Sequence, residues 1–123
     1  ASSHDSSTLR QWWKENRELT QLYFNQQLGQ FGTAPSELLP ELAEIIMKQH
    51  LHSEAMLAIF PIQEFFATDY EIANPNADDE RINNPAVFPH YWRYRMHISL
   101  EELLSKENFN HKIAGFVEES KRQ

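Results

Sequence analysis

The chain has no cysteine and only three glycines among its 123 residues. The absence of cysteine removes disulfides, thiolate nucleophiles and cysteine-ligated zinc together, and agrees with a cytoplasmic location. Three glycines leave no room for a glycine-rich phosphate loop. No stretch approaches the roughly 20 consecutive apolar residues of a membrane span. Nor does a basic start followed by an apolar run mark a signal peptide, so a soluble chain is expected. Positive charge is also scarce: 11 Lys and Arg stand against 18 Asp and Glu, a formal net charge of -7, with no basic block. This argues against nucleic acid as a partner, because phosphate binding draws on clustered cations. What the chain does have is 41% apolar and 12% aromatic residues, enough to build a core at the length of one domain.

Apolar side chains at Leu9, Trp12, Trp13, Leu19, Tyr23 and Phe24 fall on one helical face, with Asn16 and Thr20 as polar fillers. The spacing predicts a helix over about 8–28, stopped by Gly29 and Gly32. A second helix is expected over about 36–52, with Pro40 near its start or at a break, and an apolar stripe of Leu42, Ile45, Ile46 and Leu51. The run "AMLAIF", ended by Pro61, suits a strand over about 55–60 buried on both faces. Residues 68–90, rich in Asn, Asp and Pro, form a long loop of the kind that often carries function. Two short helices, about 99–104 and 108–119, finish the chain. A lone strand has no partner for its amides and carbonyls, so the pattern suggests a piece of a larger α/β fold. The start at Ala1 rather than Met, inside a motif, points the same way.

The pair His4-Asp5 lies directly ahead of the first helix. Ser, Asp and Thr at that place are ordinary capping residues. The functional alternative is a carboxylate at the end of a barrel strand, facing an active site. His50 and His52 are spaced i, i+2 and point to different helix faces, so no metal site is expected. Trp12 and Trp13 read as core. Tyr91, Trp92 and Tyr94 alternate with Arg93 and Arg95, which suggests cation–π packing or ion pairs. The adjacent pairs Asp78-Asp79, Glu101-Glu102 and Glu118-Glu119 do not face one another across a bond, as catalytic carboxylates of glycoside chemistry do at about 5–9.5 Å.

Together, "SSHDSSTLRQWW", "MLAIFPIQEFF", "ERINNPA" and "HYWRYRM" resemble the C-terminal part of the 4-α-glucanotransferases, the amylomaltase or disproportionating-enzyme family. The likeness is to the plant cytosolic and bacterial branch, and it covers nearly the whole chain in order. It implies a (β/α)8 TIM barrel, of which this chain is the C-terminal portion, mostly helical as an isolated fragment. It also implies transfer of a segment of an α-1,4-glucan, from starch or maltodextrin, to the 4-hydroxyl of an acceptor sugar by a retaining mechanism. No cofactor is implied, and the expected partner is an α-1,4-glucan or malto-oligosaccharide.

Carried across, the resemblance makes Asp5 the third carboxylate of the site, catalytic in helping to hold the sugar in its oxocarbenium-like state. His4 becomes a sugar ligand, and Ser6 or Ser7 still caps the helix. "AMLAIFP" becomes the eighth strand. "RINNP" matches an Asn-x-Pro loop beside the cleft, with Asn83 the sugar ligand, while Ala86 and Val87 stand where many members have Gly and Thr. "HYWRYRM" becomes a structural strap. The family's Asp nucleophile and Glu acid/base sit on earlier strands, so no residue here takes either role, and the 123 residues alone are expected to be inactive. An open apolar edge is expected to drive self-association or rearrangement into a helical unit. The alternative reading is a non-catalytic helical interaction or carbohydrate-binding module.

Overall fold

The computed structural model describes residues 2–89 and 92–122. Among them are six α-helices and a 3-10 turn: α1 Leu9–Glu15, α2 Arg17–Gln26, α3 Pro40–Leu51, α4 Ile62–Phe66, the 3-10 turn Ala77–Glu80, α5 Leu100–Ser105 and α6 Glu107–Glu119. No described helix is long and apolar enough to cross a membrane.

The single helix expected over 8–28 is two helices, broken at Asn16. Its backbone is extended, and its side chain accepts from the amides of Glu18 and Leu19, so it closes α1 and caps α2. A helical periodicity that continues on both sides hides such a break, because a cap residue and a polar filler look alike in sequence. Thr20 stabilises the break: its fully buried hydroxyl donates to the Trp13 carbonyl at 2.8 Å. After α2, Gly29 takes φ 64 and turns the chain toward α3. Pro40 occupies the first turn of α3, where a missing amide costs nothing. The helix accordingly starts later than the expected residue 36.

Trp13, Phe24, Leu28, Leu38, Leu42, Ala43 and Ile46 bury together between α1, α2 and α3 and form the main core. A second cluster, Phe66, Ile72, Ile98 and Phe109, ties α4 and α6 to the loop. Lys112 on α6 bridges the two regions, reaching Glu44 at 3.0 Å and the Thr68 carbonyl at 2.5 Å.

The strand expected over 55–60 is not formed. The segment is irregular, with Met56 92%, Leu57 73% and Ile59 77% exposed. A strand needs an edge to pair with, and no strand occurs among the described residues. The α/β class is thus not realised by this chain by itself, whose described elements are helical. The loop at 68–90 contains the 3-10 turn and is ordered by side chains that bond backbone amides just ahead of them. Asp69 accepts from Glu71 and Ile72, Asn74 from Asn76, Asn76 from Asp78 and Asn84 from Ala86. Helix α5 opens with a reciprocal cap between Ser99 and Glu102, whose hydrogen bonds hold the Glu102 carboxyl below its ordinary value.

Candidate functional site

His4 and Asp5 occupy a turn closed by Ser6, whose amide reaches the Ser3 carbonyl at 3.2 Å and whose hydroxyl accepts from the Ser3 amide at 2.8 Å. The cap of α1 is Thr8, in a reciprocal arrangement with Gln11, rather than Ser6 or Ser7. Capping therefore does not account for the Asp5 carboxylate. Its Oδ2 lies 3.1 Å from His4 Nε2, and its Oδ1 accepts from Asn83 Nδ2 at 2.6 Å across 78 positions of sequence. Asp5 remains 51% exposed, so one carboxylate is both oriented by two neighbours and open to a ligand. The Trp92 ring lies 5.2 Å from the His4 ring, tilted by 41°. Of the expected strap, His90 and Tyr91 lie outside the described residues.

The model of the 4-alpha-glucanotransferase family matches residues 1–101. The chain belongs to the 4-alpha-glucanotransferase family. It is 37% identical over 121 residues to the 4-alpha-glucanotransferase DPE2 of Oryza sativa subsp. japonica, covering 98% of this chain and 13% of that protein. It is 36% identical over 118 residues to the 4-alpha-glucanotransferase of Chlamydia caviae, covering 92% of this chain and 21% of that protein. The Chlamydia pneumoniae 4-alpha-glucanotransferase is 30% identical over 120 residues, with 95% and 21% covered. The chain thus spans between about an eighth and a fifth of the length of these family members. No solved structure gives a significant match.

Within this member of the family, the three residues singled out from the sequence meet at one place, and paired side chains that the sequence did not single out lie around them. Glu80, at the end of the 3-10 turn, is fully buried. Its Oε2 pairs with Arg10 Nη1 of α1 at 3.2 Å, and the same guanidinium nitrogen donates to the Asn74 carbonyl at 2.7 Å. Burial pushes the Glu80 carboxyl above its ordinary value, and the facing Arg10 and His97 only partly offset this. Glu80 Oε1 and the Tyr94 hydroxyl are buried without a hydrogen-bond partner among the described residues. Burial, with the Glu80 charge adding to it, raises the Tyr94 hydroxyl as well.

Gln11 Nε2 adds a second tie from α1 to the turn, reaching Asp78 at 3.0 Å. Arg81 Nε donates to the Asn83 carbonyl at 2.9 Å. Glu64 of α4 accepts from the Ser2 hydroxyl and from the Leu9 amide. Beside these contacts opens a cavity of about 480 Å³, lined by Leu9, Trp12, Tyr23, Met47, Phe60 and Glu64. His50 bonds the Ile46 carbonyl at 2.8 Å within α3, and its ring lies against Phe60. One signal for Glu64 was present in the sequence: an isolated charge inside the apolar stretch "AIFPIQEFF".

Proposed function

We propose that this chain supplies the His4–Asp5–Asn83 part of the glucan site of a 4-alpha-glucanotransferase. The whole protein would move a segment of α-1,4-glucan to the 4-hydroxyl of an acceptor by a retaining mechanism. The observation that carries this reading is the Asp5 carboxylate, half-exposed and met by the adjacent His4 and by Asn83 from 78 positions away. A fixed anion whose attraction grows as positive charge develops on the sugar ring lowers the barrier. Asp5 would accept from sugar hydroxyls, and the carboxamide of Asn83 and the ring of His4 would orient both partners. The nucleophile and the acid/base that such a mechanism requires would come from residues other than these. In the assembled enzyme the segment 55–60 would pair as a barrel strand and cover its exposed Met56, Leu57 and Ile59.

The test is a chimera in which this chain replaces the region it matches in the Chlamydia caviae relative. Release of glucose from maltotriose is expected, and Asp5→Asn is expected to lower kcat by about 10²- to 10³-fold, the scale for removing one electrostatic stabiliser. A folded chimera whose activity is indifferent to Asp5→Asn would overturn the reading. The 123 residues alone are expected to release none.

A further inference from the structure

The first turn of α4 is inverted. Its apolar residue Ile62 is 39% exposed, whereas Gln63 and Glu64 are 3% and 2% exposed. Burying an amide and a carboxylate is costly unless both are hydrogen-bonded, so such an arrangement persists where these bonds are made. Glu64 Oε1 accepts from the Ser2 hydroxyl and, at 3.3 Å, from the amide of Leu9. These donors lie on either side of His4 and Asp5. The Leu9 amide is one of the free amides that open α1, and Thr8 leaves it unused because its own oxygen takes the Gln11 amide. One buried carboxylate thereby fastens both ends of the turn that presents Asp5.

Gln63 does the corresponding work for the other loop. Its Nε2 donates at 3.1 Å to the carbonyl of Glu80, just ahead of Asn83. Resting on the reading of His4, Asp5 and Asn83 as a glucan site, we propose that Gln63 and Glu64 are positioning residues that set the contact between Asp5 and Asn83. Neither side chain reaches a sugar in this role. They act through the two segments they hold, and a shift of either segment lengthens a bond that is now 2.6 Å. Small displacements of this kind matter because a site's electrostatic effect depends on groups held in advance at the geometry they will use.

The experiment uses the 15N-labelled 123-residue chain and reads the Asn83 carboxamide by NMR, at a temperature where circular dichroism shows helix content equal to that of the parent. A carboxamide held against a carboxylate has two well-separated proton resonances and cross-relaxation to the Asp5–His4 turn. Glu64→Leu removes the acceptor but keeps an apolar filling, and it is expected to collapse that separation toward that of a solvated asparagine. It should also speed exchange of the Leu9 amide by about ten- to a hundred-fold, the range for losing a hydrogen bond to a charged group. Glu64→Gln retains an acceptor oxygen and is expected to retain the parent signature. Gln63→Leu is expected to move Asn83 and leave the Leu9 amide protected. If Glu64→Leu does not fold, Ser2→Ala carries the test, with the same change at Asn83 to a smaller degree.

A purely structural role would lower the melting temperature and leave the Asn83 resonances of the folded population where they were. That result, or an equal loss in Glu64→Gln and Glu64→Leu, overturns the proposal. The readout contains no sugar, so an inactive chimera alongside the expected NMR changes would overturn the glucan reading alone.

Discussion

Arg10→Met keeps the aliphatic stem of the side chain and removes the guanidinium that faces Glu80, and its cost should depend on pH. In the native chain Glu80 is fully buried beside Arg10, with His97 and Tyr94 the other titratable groups in its field. Its carboxyl lies above its ordinary value. A carboxyl raised on folding binds its proton more tightly in the native state than in the unfolded chain. The stability it contributes is therefore full below the unfolded value of about 4.3, and declines as pH rises through the native one. Without Arg10 that native value rises further.

At pH 7.5 the variant must leave a carboxylate buried and unpaired or draw a proton from neutral solvent. Removing one partner of a buried pair costs about 3–5 kcal/mol, and partial exposure of Arg10 places this case near 3. At pH 5 the proton is readily available. What remains is chiefly the lost bond from the guanidinium to the Asn74 carbonyl, about 1.5 kcal/mol. The predicted difference between the two conditions is therefore roughly 1.5 kcal/mol. Urea unfolding followed by tryptophan fluorescence, to which the buried Trp13 contributes, measures it. The double variant Arg10→Met/Glu80→Gln should recover most of the loss at pH 7.5 and show no such difference. Losses for Arg10→Met that agree at the two pH values within about 0.5 kcal/mol would refute the account of a buried, Arg-supported carboxylate.

Thr20→Val preserves shape but orphans the Trp13 carbonyl at the break between α1 and α2. A destabilisation of about 1–2 kcal/mol is expected in the same urea assay, with Thr20→Ser costing less. Lys112→Met removes the bridge from α6 to Glu44, the Thr68 carbonyl and Asp69. The melting temperature should fall, and the gap to the parent should narrow at about 1 M salt, where screening is strong. The exposed Met56, Leu57 and Ile59 are expected to drive association of the isolated chain. Sedimentation velocity should show a larger species that Leu57→Asp with Ile59→Asp disperses, and a parent that stays monomeric across concentrations counts against this.

What could be read in the sequence, and what could not, follows the range of the interactions involved. Helices α3 and α5 rest on local signals, a proline in the first turn of one and a Ser-x-x-Glu cap on the other, and those signals lie within a few residues of what they control. The break at Asn16 is equally local but ambiguous, because the apolar period runs through it. The run at 55–60 has the composition of a buried strand, but strand formation depends on a partner that composition does not supply. In the sequence, His4 and Asp5 stood out as a cap or a strand-end carboxylate, and Asn83 through its likeness to a family motif alone. Around them run long-range bonds of Glu64, Gln63 and the Glu80–Arg10 pair, which reach across 55, 17 and 70 positions. A lone Glu in an apolar stretch and an Arg inside a helix give no hint of partners so distant.

Burial divides the acidic residues around the site by what they can do. Glu64 and Glu80 are removed from solvent, and each oxygen that bonds is committed to protein donors on α1 or the segment before it. Glu80 is enclosed, and Glu64, although it borders the cavity, has its Oε1 engaged by the donors that hold the turn. Asp5 has the opposite balance: its oxygens are met by Asn83 and His4, yet half of its side-chain surface is open. An anion that is oriented and accessible can answer charge that develops on a bound molecule, whereas an anion that is oriented and enclosed can only fix the frame around it. Of Glu64, Glu80 and Asp5, burial leaves only Asp5 accessible, and Asp5 is the carboxylate that the resemblance of the sequence to the family singles out as a candidate.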